Sequence, residues 1–192
     1  NVAREANVPV QTGDESVSRT PSTNFSVVRV RRDVLGRSSV GLIATGRSVG
    51  QRGTGTNQAY GVDGTFGFFA NLAINTYWAK TNGPGPSGDD TSYRGQLDYA
   101  GDRYGVQLER LMIGDDFNPG VGFVRRDDMR RHFAQFRFSP RPRTMKAVRK
   151  FIWLGSLAYV ENGAGRLETR DVEGEFAVEF QNSDRFTLVY NG

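Results

Sequence analysis

The chain contains one histidine, His132, so a Ser-His-Asp triad would have to use it. It lies at the start of a predicted strand, next to Arg130 and Arg131. The segment 36–41 reads GRSSVG and departs from the G-x-S-x-G pattern that places a nucleophile on a sharp turn. The sequence therefore predicts no histidine-dependent hydrolase. Paired carboxylates for glycoside cleavage stay open, because sequence gives no distance between the acidic residues.

Metal sites have few candidate ligands in this chain. Cysteine is absent, which excludes thiolate sites. Asp89-Asp90 and Asp115-Asp116 offer the hard oxygens that Ca²⁺ prefers, but no EF-hand spacing accompanies them. These pairs are therefore predicted to be solvated loop acids. No P-loop occurs among the glycines, and we predict no catalytic residue, no metal and no cofactor.

The segment from Gly114 to Met129, GDDFNPGVGFVRRDDM, is the strongest candidate for a functional site. It lacks the alternation of a strand, and loops of this length are uncommon unless they have a function. We expect a tight turn at 118–120, a loop folded back with Phe117, Asn118 and Phe123 buried, and its arginines paired with loop aspartates or an interior acid. The prediction is a plug or a ligand gate that involves Asp115, Asp116, Phe117, Asn118, Pro119, Gly122, Phe123, Arg125 and Arg126.

The elements that must hold these residues are predicted from a two-residue period. Between Asn57 and Thr81, apolar side chains alternate with small or polar ones, with one break at 69–71. Strict alternation predicts strands, and two strands around a short break predict a hairpin. The same pattern recurs along the chain and predicts an all-β, antiparallel up-and-down meander of about ten long strands. Besides the hairpin, the predicted strands are 24–33, 39–47, 93–99, 103–109, 131–138, 148–160, 167–181 and one from residue 186.

Charged residues of both signs fall on one face of these predicted strands, which we assign to the interior. One interpretation is a polar passage or binding lumen; the other is a network of ion pairs that fills the interior. The interior candidates are Asp63, Asp98, Glu109, Arg94, Arg103, Arg137, Glu175 and Glu179, together with Arg29, Arg31 and Glu173.

The lengths of the strands and of their connections favour a membrane barrel. Roughly 9–11 residues are needed to cross a bilayer as a tilted strand, and short connections alternate with longer loops, as in outer-membrane barrels. Aromatic residues gather near both ends of the strands, which is typical of interfacial girdles. A mean hydropathy of −0.52 fits strands with one polar face. The fold prediction is a segment of a transmembrane β-barrel, with a soluble all-β binding module as the alternative.

Composition also bears on partners and on domain organisation. The net charge is +4, from 25 basic and 21 acidic residues, and no basic patch stands alone, so nucleic acid is not expected as a partner. Residues 1–23 are polar and predicted to be a linker or lead-in, and residues 24–192 a barrel segment that is incomplete. The first and last strands are therefore not expected to pair with each other, and the isolated segment is expected to aggregate unless it oligomerises.

Three motifs, TNFSVVRVRRDVLGRSSVG, AYGVDGTF and DDFNPGVGFVRRDD, carry a resemblance that extends over residues 24–192. Together they resemble a family of bacterial envelope proteins of unassigned function, in which a domain like carbohydrate-binding module family nine precedes an outer-membrane β-barrel. The resemblance implies the outer membrane of a Gram-negative-type bacterium, membrane lipid as a partner, and a passive transport, anchoring or surface-binding role linked to carbohydrate or another small solute. It brings no catalytic residues, and no carbohydrate-binding-like domain is predicted within these 192 residues, so sugar binding by that domain is not expected of them. A cell-envelope hydrolase acting on glycans is the alternative from another class.

Overall fold

The structure, a computed structural model, describes residues 22–49, 55–85 and 88–192. They form ten strands, each within a few residues of its predicted position. The strands are β1 (Phe25–Val34), β2 (Ser38–Arg47), β3 (Asn57–Phe68), β4 (Leu72–Asn82), β5 (Thr91–Ala100), β6 (Tyr104–Ile113), β7 (Met129–Phe138), β8 (Val148–Glu161), β9 (Leu167–Phe180) and β10 (Arg185–Asn191). The predicted lead-in lies almost entirely outside the described residues.

The ten strands form one sheet in chain order, and every strand is antiparallel to its neighbours. The predicted all-β up-and-down meander is therefore confirmed. Strands β1 and β10 are the two edges and do not pair with each other, also as predicted. The open sheet is consistent with a segment of a barrel.

Among the described residues, no helix has the length and apolar character needed to cross a membrane.

The two ends of the sheet differ in their connections. Residues 35–37, 69–71, 101–103, 139–147 and 181–184 join strands at one end, which we call the turn end. Residues 48–56, 83–90, 114–128 and 162–166 join them at the other, the loop end; residues 50–54 and 86–87 lie outside the described part. The tightest turns use left-handed backbone, with φ of 49° at Leu35, 69° at Gly36 and 54° at Phe69.

Strand register divides the side chains between two faces, because successive residues of a strand point to opposite sides. The apolar face carries Val30, Leu42, Val62, Trp78, Leu97, Leu108, Phe136, Trp153, Phe176 and Leu188. The polar face carries Arg29, Asp63, Arg94, Asp98, Glu109, Arg131, Arg137, Glu175 and Glu179.

No second layer covers the apolar face within the described residues. Among the described residues, Ile152 and Ala177 are the only buried hydrophobic residues. Register places both of them on the polar face. By contrast, Phe136 and Leu188 on the apolar face are 51% and 56% exposed. Sheets of globular domains bury one face against another layer, and the described residues supply no such layer here.

Candidate functional site: the polar face and loop 114–128

An ion pair crosses a strand near the β1 edge of the polar face. The two terminal guanidinium nitrogens of Arg29 on β1, Nη1 and Nη2, donate to the Asp63 carboxylate on β3, at 2.5 and 2.9 Å. Gly41 of β2 lies between them, and a Cβ there would come within 2.6 Å of the arginine and 2.8 Å of the aspartate. Glycine is therefore required for this bidentate pair to pass over β2.

The most enclosed charge on the polar face is Glu109, whose residue is 8% exposed. One carboxylate oxygen accepts hydrogen bonds from Arg94 of β5, and the other accepts one from Arg131 of β7. Arg131 also lies over the ring of Phe133, 5.2 Å from its centroid. A buried carboxylate is stable only when paired, and here strands on both sides provide the pairing.

Two further groups of contacts extend the network to the turn end and to the β10 edge. Arg137 donates to the carbonyls of Gly101 and Asp102 and to the Ser139 hydroxyl, at 2.5, 3.2 and 2.7 Å, and so fastens the β5–β6 turn. Arg185 on β10 donates to Glu175 at 2.5 Å. Glu179 pairs with Arg149 and Lys150, at 2.9 and 3.3 Å.

Register places most of the predicted interior residues together on the polar face, but Arg103 does not lie there. That residue precedes β6 in the turn, and its guanidinium lies 5.7 and 5.4 Å from the ring centroids of Tyr104 and Phe138. Both rings belong to the apolar face, so cation–π attraction draws the side chain away from the polar face. Asp98 lies on the polar face, opposite Ala73 and Gln107.

Sequence reasoning missed Arg131 and the role of Gly41. The signal for Arg131 was present, because counting back in twos from Arg137 on β7 reaches it on the same face. Gly41 carries no such signal, since the need for glycine arises only when side chains from two strands meet above a third.

Loop 114–128 is fastened to strands distant from its own. The Asn118 amide donates to the Thr81 hydroxyl at 3.1 Å, and the Asn57 side-chain amide donates to the Asn118 carbonyl at 2.9 Å. Asn57 and Thr81 are 6% and 2% exposed and lie on the polar face of β3 and β4. The loop that leaves β6 therefore folds over the polar side of the loop end, two and three strands away.

The tip of this loop contains the tight turn predicted at 118–120. The Gly120 amide donates to the Asn118 side-chain oxygen at 3.1 Å, and the Val121 amide donates to the Pro119 carbonyl at 2.6 Å. Gly120 has a φ of 63° and lies directly against the Asn57 side chain, where an added Cβ would collide. Glycine is required here both by backbone conformation and by space.

The C-terminal end of the loop contacts the β8–β9 connection and the start of β9, which lie in the opposite lateral direction from β3 and β4. Arg126 forms an ion pair with Glu168, the extra residue of a bulge at the start of β9. The Asp128 side chain accepts a hydrogen bond from the Gly163 amide at 2.8 Å. The predicted pairing of Arg126 with aspartates of the loop or with Asp63 is therefore wrong: β9 offers a bulged carboxylate, and Asp63 is occupied by Arg29.

The predicted burial of the loop aromatics is only partly correct. Phe117 and Pro119 are half-buried, Asn118 is exposed, and Phe123 is 88% exposed. The expectations that Asn118 is buried and that Phe123 anchors the loop are both wrong. Backbone and side-chain hydrogen bonds to Asn57 and Thr81 hold the loop in place, so docking does not require the second aromatic ring to be buried.

The loop borders an open cavity of about 440 Å³. Its lining contains every residue of the predicted loop site: Asp115, Asp116, Phe117, Asn118, Pro119, Gly122, Phe123, Arg125 and Arg126. Asp115 is engaged with the Asp89 amide at 2.7 Å. In the described part of the chain, no group of three or more His, Asp or Glu side chains could hold a metal ion. A polar cavity with charges of both signs suits a small polar solute better than an apolar ligand.

The apolar face has its own ordered distribution of side chains. Its charged residues lie within four residues of a strand end: Arg32, Lys80, Arg110, Arg130, Glu161 and Arg170. Toward the turn end, Trp153 stacks on Phe138 and meets Phe176 at a tilt, with ring centroids 5.7 and 5.3 Å away. Trp78, Tyr93 and Tyr159 occupy the half nearer the loop end.

Comparison with family models, with curated proteins and with solved structures finds no match for this chain.

Proposed function

We propose that the chain is part of an outer-membrane-type β-barrel, with the apolar face against lipid and the polar face lining the interior. Its role in this proposal is passive transport, anchoring or surface binding. Membrane lipid is the partner of the apolar face, and the outer membrane of a Gram-negative-type bacterium is the location.

The observation that carries the proposal is the distribution of charge between the two faces. Counted from the nearer end of its strand, no charged residue of the apolar face lies beyond the fourth position, whereas Arg29, Asp63 and Glu109 on the polar face do. A charge at the bilayer midplane costs about 2–4 kcal/mol on the lipid face of a barrel and little on the lumen face. This asymmetry is the one that a bilayer selects.

Strand length and exposure support the same proposal. Nine of the ten strands have 10 to 14 residues, and roughly 9–11 suffice to cross a bilayer. An uncovered apolar face that extends over ten strands far exceeds the patches of a few hundred Å² tolerated on soluble monomers. Lipid would cover it without requiring a second protein layer.

The polar face supports a passive interior. Asp63, Glu109, Glu175 and Glu179 are all engaged with arginine or lysine, so none of these four is arranged as a free acid for glycoside cleavage. Loop 114–128 closes part of the loop end, and its cavity is the candidate contact for a small polar solute. We therefore propose no enzymatic role. A link to carbohydrate uptake or binding follows only from the family resemblance of the three motifs.

The chain's two tryptophans, Trp78 and Trp153, test the orientation directly, because both lie on the apolar face. We expect lipids brominated along their acyl chains to quench the emission of both residues after reconstitution, while aqueous acrylamide quenches weakly. Single-tryptophan variants, Trp78→Phe and Trp153→Phe, separate the two signals. Strong acrylamide quenching with no effect of brominated lipid would support the soluble binding module instead.

A further inference from the structure

A row of basic and hydrogen-bonding side chains crosses the apolar face near the loop end. Arg110 on β6, His132 on β7, Tyr159 on β8 and Arg170 on β9 are successive cross-strand partners. We call them the basic row. The rings of His132 and Tyr159 meet edge to face, with centroids 6.4 Å apart. Neighbouring strands are about 4.8 Å apart, so these four side chains form one continuous strip.

The next row toward the turn end is entirely apolar. It consists of Leu97, Leu108, Ala134, Leu157 and Val172. Successive residues on one face of a strand are separated by about 7 Å, so cationic groups directly border a surface with no polar side chain. This juxtaposition matches a molecule with an anionic head and a hydrocarbon body.

A groove runs from the basic row into this apolar surface. It has a volume of about 470 Å³, and its lining includes Gly95, Leu108, Arg110, His132 and Leu157. Gly95 leaves the groove open, since an added Cβ there would meet no atom within 4 Å. The groove is therefore a gap in the apolar surface with donors at one end.

The arginines of the basic row have no carboxylate partner among the described residues, although Arg130, one step nearer the loop end, pairs with Glu161 at 3.9 Å. A comparable groove of about 460 Å³ around Gly155 and Gly174 has no basic residue in its lining. Charge complementarity thus distinguishes the first groove from the second.

We propose that the groove at Gly95 and the basic row form a binding site for an anionic phospholipid, with an acyl chain along the groove, the phosphate against Arg110 and His132, and Arg170 adding positive charge at the far end of the row. His132 and Tyr159 supply further hydrogen-bond donors. The inference rests on the proposed function, because it requires this face to meet lipid. Guanidinium groups suit phosphate because they present several donors in one plane.

The test is native mass spectrometry of the purified chain in dodecyl maltoside micelles, titrated with lipids of identical acyl chains. Dioleoyl phosphatidic acid should bind at least about tenfold more tightly than dioleoylglycerol, and its affinity should fall with salt. Arg110→Gln and Arg170→Gln should each weaken phosphatidic acid binding about fivefold, because a basic residue near a membrane surface contributes about 1 kcal/mol. Arg31→Gln, on the polar face, removes the same charge and should leave binding unchanged.

Two further variants test the groove itself. Gly95→Leu should fill it and weaken phosphatidic acid binding, while Gly155→Leu, in the groove without cations, should have no effect. Equal loss in both variants, or equal affinity for phosphatidic acid and dioleoylglycerol, would overturn the proposal. Displacement of phosphatidic acid by glycerol phosphate at the same concentration would also overturn it, by indicating a site for free phosphate.

The two proposals fail in different ways. If brominated lipid does not quench Trp78 and Trp153, the proposed function fails. If quenching occurs but phosphatidic acid has no advantage over dioleoylglycerol, only the phospholipid site fails. The comparison of the two lipids and the salt dependence of phosphatidic acid binding are both measured on the unmodified chain. They therefore test the phospholipid site even if an arginine variant does not fold.

Discussion

Gln107 and Leu108 are consecutive residues of β6, and they face two different surroundings. Gln107 lies between Asp98 and Gln135 on the polar face, whereas Leu108 lies between Leu97 and Ala134 on the apolar face. The same contrast repeats on most strands; β8 is an exception, because its positions on the polar face include Ile152, Leu154 and Val160. The polar face accommodates charge at mid-strand by pairing it across strands, and the apolar face confines charge to strand ends.

This difference indicates how one sheet can be stable without a protein core. Side chains on the polar face satisfy one another, as Arg94, Glu109 and Arg131 do. The apolar face makes few such contacts, and its stability depends on the medium that covers it. Substitutions should therefore lower the folding free energy by very different amounts on the two faces.

The largest effect is expected at adjacent positions on opposite faces. Leu108→Arg should cost about 2–4 kcal/mol of folding free energy in a bilayer, because the charge is placed near the lipid midplane. Gln107→Arg should cost less than about 1 kcal/mol, since it faces Asp98 on the polar side. Urea unfolding in phospholipid vesicles measures both; equal costs would argue against two different environments.

The next effect concerns the enclosed carboxylate of the polar face. Glu109→Gln should destabilise the chain by about 1–3 kcal/mol, because two guanidinium groups lose their shared charged acceptor. The half-exposed arginines can turn partly toward water, which keeps the loss below that of a fully buried pair. Glu173→Gln is the matched control, as its carboxylate accepts only a 3.4 Å hydrogen bond from Ser156, and a similar loss there would contradict the special role of Glu109.

A smaller effect is expected where an ion pair crosses a strand. Gly41→Ala should cause a small loss of stability, because the new methyl group displaces the exposed Arg29–Asp63 pair, whose attraction water already screens. Gly46→Ala on the same strand is the control, since a Cβ there meets nothing within 4 Å. In a chain that already carries Arg29→Gln, Gly41→Ala should cause little further loss of stability. If the losses from the two substitutions simply add, Gly41 acts independently of the ion pair.

The smallest change in stability is expected in the loop that covers the polar face. Gly120→Ala should undock loop 114–128 from Asn57 while changing unfolding free energy by only about 0.5–1 kcal/mol. Faster proteolysis within the loop and a higher solute flux through reconstituted vesicles are the expected readouts. Gly122→Ala, whose Cβ would meet only Pro119 at 3.3 and 3.4 Å, should leave both unchanged. Faster proteolysis without a change in flux would leave the loop a structural plug.

Most of the fold was predictable because alternation is a local signal. Most of the long strands show their two faces in sequence, and turns such as 35–37 and 69–71 interrupt the period visibly. Three-residue turns at 35–37, 69–71 and 101–103 restrict the register of the hairpins that they close. The unpaired edges at β1 and β10 were also predicted.

The errors arose where contacts join residues distant in sequence. Arg103 shares the rhythm of β6 but is drawn to the rings of Tyr104 and Phe138. Arg126 finds its partner at Glu168 because a bulge in β9 exposes that carboxylate. Phe123 stays exposed because hydrogen bonds to Asn57 and Thr81 suffice to hold the loop. None of these outcomes has a local sequence signal.

The central claim is that the two faces of the sheet meet two different media, and a spin-label scan tests it most directly. The chain has no cysteine, so single cysteines at residues 97–99 and 106–108 can be labelled without background. In reconstituted vesicles, labels at 97, 99, 106 and 108 should collide with lipid-soluble oxygen, while labels at 98 and 107 should be shielded from it. Oxygen accessibility that does not alternate between these positions would contradict the account.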